Sequence, residues 1–169
     1  MLFRSNNHTT EVWAVIHNTF PSSYDGYEGN SCLVTFSGYH TMFLYNGSQM
    51  FYYMWDATGP TSKTTTALTI GTSGTDIIQD QWFNVVVTKS GDVFKTYLNG
   101  VLKRTDTITT SPLAGVSNGL RIGSAYDNNG GSFNYYSKSS VGAVKMYGAA
   151  LTDTQILQNF SALRGRYGI

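Results

Sequence analysis

Apolar and polar side chains alternate with a period of two through much of this chain, the period of half-buried strands. The clearest run is residues 81–105. Gln81-Trp82-Phe83-Asn84-Val85-Val86-Val87-Thr88 ends in β-branched side chains, which fit a pleated surface better than a helix. Ser90-Gly91-Asp92 supplies turn chemistry. From Val93 to Leu98, Phe94, Thr96 and Leu98 share one face and Val93, Lys95 and Tyr97 the other. Asn99-Gly100 then predicts a type I′ hairpin, which needs positive φ at both positions. Val101 to Thr105 completes a three-stranded meander.

The same reading extends in both directions. Thr9 to Ile16 alternates, with Val12, Ala14 and Ile16 on one face and Glu11, Trp13 and Val15 on the other. Strands are expected at Leu33 to Phe36, Thr41 to Tyr45, Gln49 to Trp55, Lys63 to Ile70, Leu120 to Gly123 and Val141 to Tyr147, with Asn46-Gly47-Ser48 as a second hairpin turn. Long polar loops are expected at 17–30 and 124–140, and loops of that length at a domain rim are often functional. The period changes to that of a helix near the end. Thr152 and Gln155 form a capping box, and Asp153 sits at the positive end of the helix dipole. Ile156, Leu157, Phe160 and Leu163 form an apolar stripe, and Gly165 is suited to the left-handed closing position. The pattern predicts an all-β, antiparallel β-sandwich with one short C-terminal α-helix, formed by residues 1–169 as a single domain; the jelly-roll form of that sandwich is what the resemblance given below implies.

Composition narrows the function classes. Charged residues are 12% of the chain, about half the usual share. The net charge of +1 creates no field that would gather nucleic acid or an anionic surface. No run is long and apolar enough for a transmembrane helix. The single Cys32 excludes an intramolecular disulfide and reads as a buried structural thiol.

Several segments resemble, in order along nearly the whole chain, the laminin-G-like jelly rolls of the concanavalin A-like lectin/glucanase superfamily. Gln81 to Thr88 is similar to that family's "QWHHVAVT" strand, Tyr97-Leu98-Asn99-Gly100 to its "lYvNG" hairpin, and Thr10-Glu11-Val12-Trp13 to its "TIEaWv" strand. Leu120-Arg121-Ile122-Gly123 resembles its "l-x-iG" strand, and Val141 to Asp153 its closing segment. The ending from Gln155 to Ile169 is similar to endings of phage-encoded members that form parts of virions, so the resemblance implies a virion or extracellular setting. Family members carry one more strand before "TIEaWv". Leu2-Phe3-Arg4-Ser5 is also what a common sequencing-adapter end encodes, so the natural chain is expected to begin further upstream. If that strand is absent, a sheet edge lies unpaired, open to another virion protein or a second copy. Gly142 and Ala143 stand where many members have acids, so an acid contributed there to a metal site is lost.

Glycoside hydrolysis needs two carboxylates flanking the bond. The chain has only Glu11 and Glu28 as glutamates and no E-x-D-x-E triplet. His8, His17 and His40 lack a nucleophile elbow and read as solvated loop histidines. The expectation is therefore a non-catalytic module. Carbohydrate sites join an aromatic platform to amide and carboxylate partners. Two rim loops offer that mixture: Tyr24, Asp25 and Tyr27 with Glu28; and Tyr126, Asp127 and Asn128 with Asn129, Tyr135 and Tyr136. Calcium, an oxygen-seeking cation, could use Asp25, Glu28 and Asp127, although ordinary turn-forming roles compete. Phe51, Tyr53 and Trp55 lie on one strand face, either as a concave stripe or, the favoured reading, as core packing. A carbohydrate or protein surface is the expected partner; a purely structural virion domain and a glycanase are the alternatives.

Overall fold

A computed structural model describes residues 7–17, 31–36, 41–57, 63–109, 120–126, 133–134 and 138–169. Its strands are β1 (Asn7–Ile16), β2 (Ser31–Phe36), β3 (Thr41–Tyr45), β4 (Gln49–Ala57), β5 (Lys63–Thr72) and β6 (Trp82–Ser90). They continue with β7 (Val93–Leu98), β8 (Val101–Thr107), β9 (Leu120–Ile122), β10 (Ala125–Tyr126), β11 (Phe133–Asn134) and β12 (Ser139–Tyr147). One five-stranded sheet has the order β12-β1-β6-β7-β8 and the other β5-β4-β3-β2-β9; β10 and β11 form a separate ribbon. Every ladder between these strands is antiparallel. Two sheets packed face to face leave one apolar layer between them.

The alternation read from the sequence decides what enters that layer. Val12, Ala14, Ile16, Phe83, Val85, Val87, Phe94 and Leu98 come from the first sheet. Leu33, Val34, Phe43, Tyr45, Met50, Tyr52, Met54, Leu68 and Ile70 come from the second. The Asn99-Gly100 hairpin has φ of 50° and 76°, the positive values its type requires. Cys32 is fully buried, and burial pushes its thiol up to about 12 despite a contact with Thr35 Oγ1.

Several strands run beyond their expected ends. β4 and β5 each run two residues beyond Trp55 and Ile70, because each has a paired partner there: Asp56 and Ala57 face Thr64 and Lys63, and Thr72 faces Gln49. The stretch 124–140, expected as a loop, contains the β10–β11 ribbon and the start of β12. Strands of two residues carry too little pattern to be read in advance.

The outer face of the first sheet is roofed by the C-terminal helix α1 (Asp153–Leu163). Thr152 Oγ1 accepts from Gln155 N and Gln155 Oε1 accepts from Thr152 N, the reciprocal capping box. Ile156 and Phe160 are buried, whereas Leu157 is 52% exposed, so the helix buries a narrower stripe than its sequence suggests. The chain then continues as a 3-10 turn, Arg164–Tyr167, and Gly168 (φ 73°), rather than Gly165, takes the left-handed closing position. That extra turn has a packing reason. It brings Tyr167 onto Trp13, with ring centroids 4.4 Å apart, while Phe160 stacks on the same indole at 5.7 Å.

Candidate functional site

One end of the sandwich gathers the roots of the long loops. β1 ends at Ile16, and His17 N donates to Lys138 O at 2.8 Å. Lys138 N in turn donates to Ser31 Oγ, at the start of β2, at 3.0 Å. The residues that flank 18–30, His17 and Ser31, are thus both tied to Lys138, the residue before β12. β9 runs antiparallel to β2, with Ile122 opposite Val34, and Gly123 N donates to Leu33 O at 3.0 Å. Its continuation into β10 therefore heads towards Ser31. Tyr126 pairs with Phe133 and Ala125 with Asn134. The described ends of the two segments singled out in the sequence accordingly lie at the same rim.

Tyr24, Asp25, Tyr27, Glu28, Asp127, Asn128, Asn129, Tyr135 and Tyr136 lie outside the described residues, as does His40. Tyr126 is placed by its backbone in β10. The calcium set of Asp25, Glu28 and Asp127 is likewise outside them, and among the described residues no group of three His, Cys, Asp or Glu side chains could hold a metal.

Residues that sequence reasoning passed over sit among the loop roots. His17 Nε2 lies 2.8 Å from Ser140 Oγ, and His17 Nδ1 lies 3.3 Å from Asp80 Oδ1. His17 is a bridging side chain, not a solvated loop histidine, and His8 belongs to β1. Asp80 has φ of 61°, a left-handed value that aspartate tolerates better than most residues, and its N–H donates to Ile16 O at 2.8 Å. Serine, histidine and aspartate are connected here as in a hydrolytic triad. The setting differs: Ser140 is a paired residue of β12 opposite Val15 rather than the apex of a strained turn, and Asp80 is 58% exposed. The three side chains instead pin the exit of β1, the entry to β6 and the start of β12 beneath the loops. Gaps of about 60 residues separate them, so only the topology brings them together.

The two other features weighed in the sequence also resolve. Glu11 is 1% exposed and sealed under α1, with Oε1 accepting from Trp13 Nε1 at 2.8 Å, so it is closed to a sugar. The aromatic face of β4 is settled by its neighbours rather than by Phe51, Tyr53 and Trp55 themselves. Tyr52 and Met54 enter the core, so by strand alternation positions 51, 53 and 55 belong to the opposite face of the second sheet, not to the core expected for them. Gly142 stands where an acid would clash: a Cβ there would meet Tyr167 Cε1 at 2.7 Å and Trp82 Cζ3 at 2.9 Å.

Two antiparallel sheets, a roofing helix and a loop-bearing rim define a lectin-like jelly roll. A laminin-G family model described as concanavalin A-like lectin/glucanases superfamily matches residues 2–157, and the chain belongs to that superfamily. No curated protein sequence matches it. Among solved structures, the receptor-binding domain of botulinum neurotoxin type G is similar at 12% identity with a TM-score of 0.62, covering 94% of this chain and 38% of that one. The binding domain of Paraclostridial Mosquitocidal Protein 1 is similar at 14% identity with a TM-score of 0.64, covering 94% and 38%. The receptor-binding domain of a botulinum neurotoxin C/D mosaic has 13% identity and a TM-score of 0.61, covering 95% and 37%. The chain spans under two fifths of each of these structures, and at such identities the likeness is one of fold.

Proposed function

We propose that this domain is a non-catalytic recognition module that binds carbohydrate, on a virion or extracellular surface, through the rim loops 18–30 and 127–137. The observation that supports the reading is the convergence of the described loop ends: His17 N donates to Lys138 O and Lys138 N to Ser31 Oγ, so the segments rich in Tyr, Asp and Asn are anchored side by side. Aromatic faces meet the C–H surface of a sugar ring, and amides and carboxylates meet its hydroxyls. The receptor-binding role printed for similar folds fits this reading. So does the pairing of Lys95, Lys103 and Arg104 with Asp153, Asp76 and Asp106, which leaves these cations engaged rather than presented to a polyanion.

A glycan array probed with the wild type and with Tyr126→Ala tests the proposal. Binding by the wild type and at least tenfold weaker binding by the variant is expected. No binding to any glycan overturns it in favour of protein-only contacts. Binding that survives Tyr126→Ala moves the site to the outer face of the second sheet, where Phe51→Ala then abolishes it. Release of reducing ends from a polysaccharide panel would overturn the non-catalytic part.

A further inference from the structure

Two tryptophans stand on the outer face of the first sheet, in contrasting settings. Trp13 is fully buried: its Nε1 donates to Glu11 Oε1 at 2.8 Å, and its ring is stacked with those of Phe160 and Tyr167. Trp82 is partly exposed, and among the described residues no group accepts from its Nε1. Buried tryptophans satisfy that donor. One that keeps ring surface and a donor in water together offers both to a ligand.

The register of the sheet shows where the Trp82 ring lies. Ser140, Val15 and Trp82 form one row across β12, β1 and β6. Val15 is buried, and a Cβ on Gly142 would meet Trp82 Cζ3 at 2.9 Å, so the indole reaches from β6 across β1 to β12. Tyr167 abuts it, with ring centroids 4.7 Å apart and planes inclined by 49°. Along β1, residues 13, 15 and 17 follow one another on this face. Tyr167 therefore lies over Trp13, Trp82 over Val15, and the linked side chains of His17, Ser140 and Asp80 come next. The Arg166 guanidinium lies over the Tyr167 ring, 6.0 Å from its centre, so a cation stands at one end of this strip and the Asp80 carboxylate at the other.

We propose that this strip is a sugar-binding subsite, in which the ring of a neutral pyranose lies on Trp82 and its hydroxyls meet Trp82 Nε1, Ser140 Oγ and the Asp80 carboxylate. The ligand class rests on the carbohydrate reading above, but the place differs: it is the outer face of the first sheet, below the rim marked by His17, Ser31 and Lys138. A sugar ring presents a C–H face to an aromatic surface and, around its edge, hydroxyls that both donate and accept. A serine hydroxyl has one donor and two lone pairs, and a carboxylate has about four acceptor sites, so Ser140 and Asp80 can meet a sugar while each holds His17. Both ring nitrogens of His17 are engaged, so it is a positioning residue that fixes the other two. Gly142 shapes the floor, because a side chain there would lift both Trp82 and Tyr167 off the sheet. One anion and one cation leave the strip without net charge, which favours a neutral sugar over a uronic acid.

Titration of the whole chain with cello-, xylo-, malto- and galacto-tetraose, and with any glycan the array captures, tests the subsite by tryptophan fluorescence. A saturable change is expected in the wild type. Trp82→Leu, which still covers Val15, is expected to abolish that change and to bind at least tenfold more weakly. Asp80→Asn is expected to weaken binding at least threefold. Asparagine tolerates the same left-handed backbone, so this variant decides the matter if Trp82→Leu does not fold. Tetragalacturonate is expected to bind at least tenfold more weakly than galactotetraose, and tighter binding overturns the neutral preference. Binding unchanged in Trp82→Leu and Asp80→Asn overturns the subsite, while the rim-loop reading still stands where Tyr126→Ala weakens that binding. Failure of the wild type to bind any oligosaccharide or array glycan overturns both.

Discussion

Removing the carboxylate of Glu11 measures how the C-terminal helix is held to the sheet. Glu11 is 1% exposed. Its Oε1 accepts from Trp13 Nε1 at 2.8 Å and lies 3.4 Å from Asn84 Nδ2 and Lys145 Nζ; Oε2 lies 3.4 Å from Tyr147 OH and Asn159 Nδ2. Glu11→Ala leaves the indole N–H of Trp13 buried without its acceptor, a cost of about 1–3 kcal/mol. It also strands Lys145. Breaking a fully buried ion pair costs about 3–5 kcal/mol, but the Lys145 side chain is 33% exposed and can turn to water, so this part falls to roughly 1 kcal/mol. The four contacts at 3.4 Å are too long to add much. The expected total is about 2–4 kcal/mol, and Glu11→Gln, which keeps the acceptor for Trp13, is expected to lose roughly 1 kcal/mol. Urea unfolding followed by tryptophan fluorescence reads this as a lower midpoint at unchanged slope. A double-mutant cycle with Asn159→Ala isolates the share that crosses to the helix, expected at about 0.5 kcal/mol. The reasoning fails if Glu11→Ala stays within about 0.5 kcal/mol of the wild type, the scatter of ordinary surface changes. It also fails if the glutamine variant loses as much as alanine.

Two further predictions concern the same face. Gly142→Ala is expected to cost about 1–3 kcal/mol by overpacking, because its Cβ would press on Tyr167 and Trp82; an unchanged melting temperature would show that the rings move aside freely. The hydrogen bond from Lys95, and then that from Tyr97, hold the Asp153 carboxyl below the usual carboxylate range. A depressed folded-state value gives stability that is present above the ordinary range and is lost as pH falls through the folded value. Asp153 is 57% exposed, so the loss is expected to stay under about 1 kcal/mol. Asp153→Asn should flatten acid unfolding, and an identical acid profile for the two proteins would refute the link.

Much of this protein was legible from local pattern, for a physical reason. A strand's alternation is set by backbone geometry, so Val12, Ala14 and Ile16 could be assigned to one face and Glu11 and Trp13 to the other before any partner was known. The Asn99-Gly100 turn and the Thr152 capping box are equally local, since each needs only a few neighbouring residues to satisfy its φ angles or its amides. What the outer face of the first sheet meets was not legible, because α1 lies about 140 residues from Glu11 and nothing in the spacing says that the helix lands there. The same holds for the assignment of Phe51, Tyr53 and Trp55. Either face of an aromatic-rich strand is apolar enough to be the core, and the packed Tyr52 and Met54 decided it. His17, Asp80 and Ser140 meet only because β1, β6 and β12 are neighbours in one sheet. Sequence alone determined the longer strands, the hairpin turns, the helix cap and the superfamily. Tertiary structure decided which faces close, where the helix lands and which strand ends meet at one rim, because those depend on contacts between residues far apart in the chain.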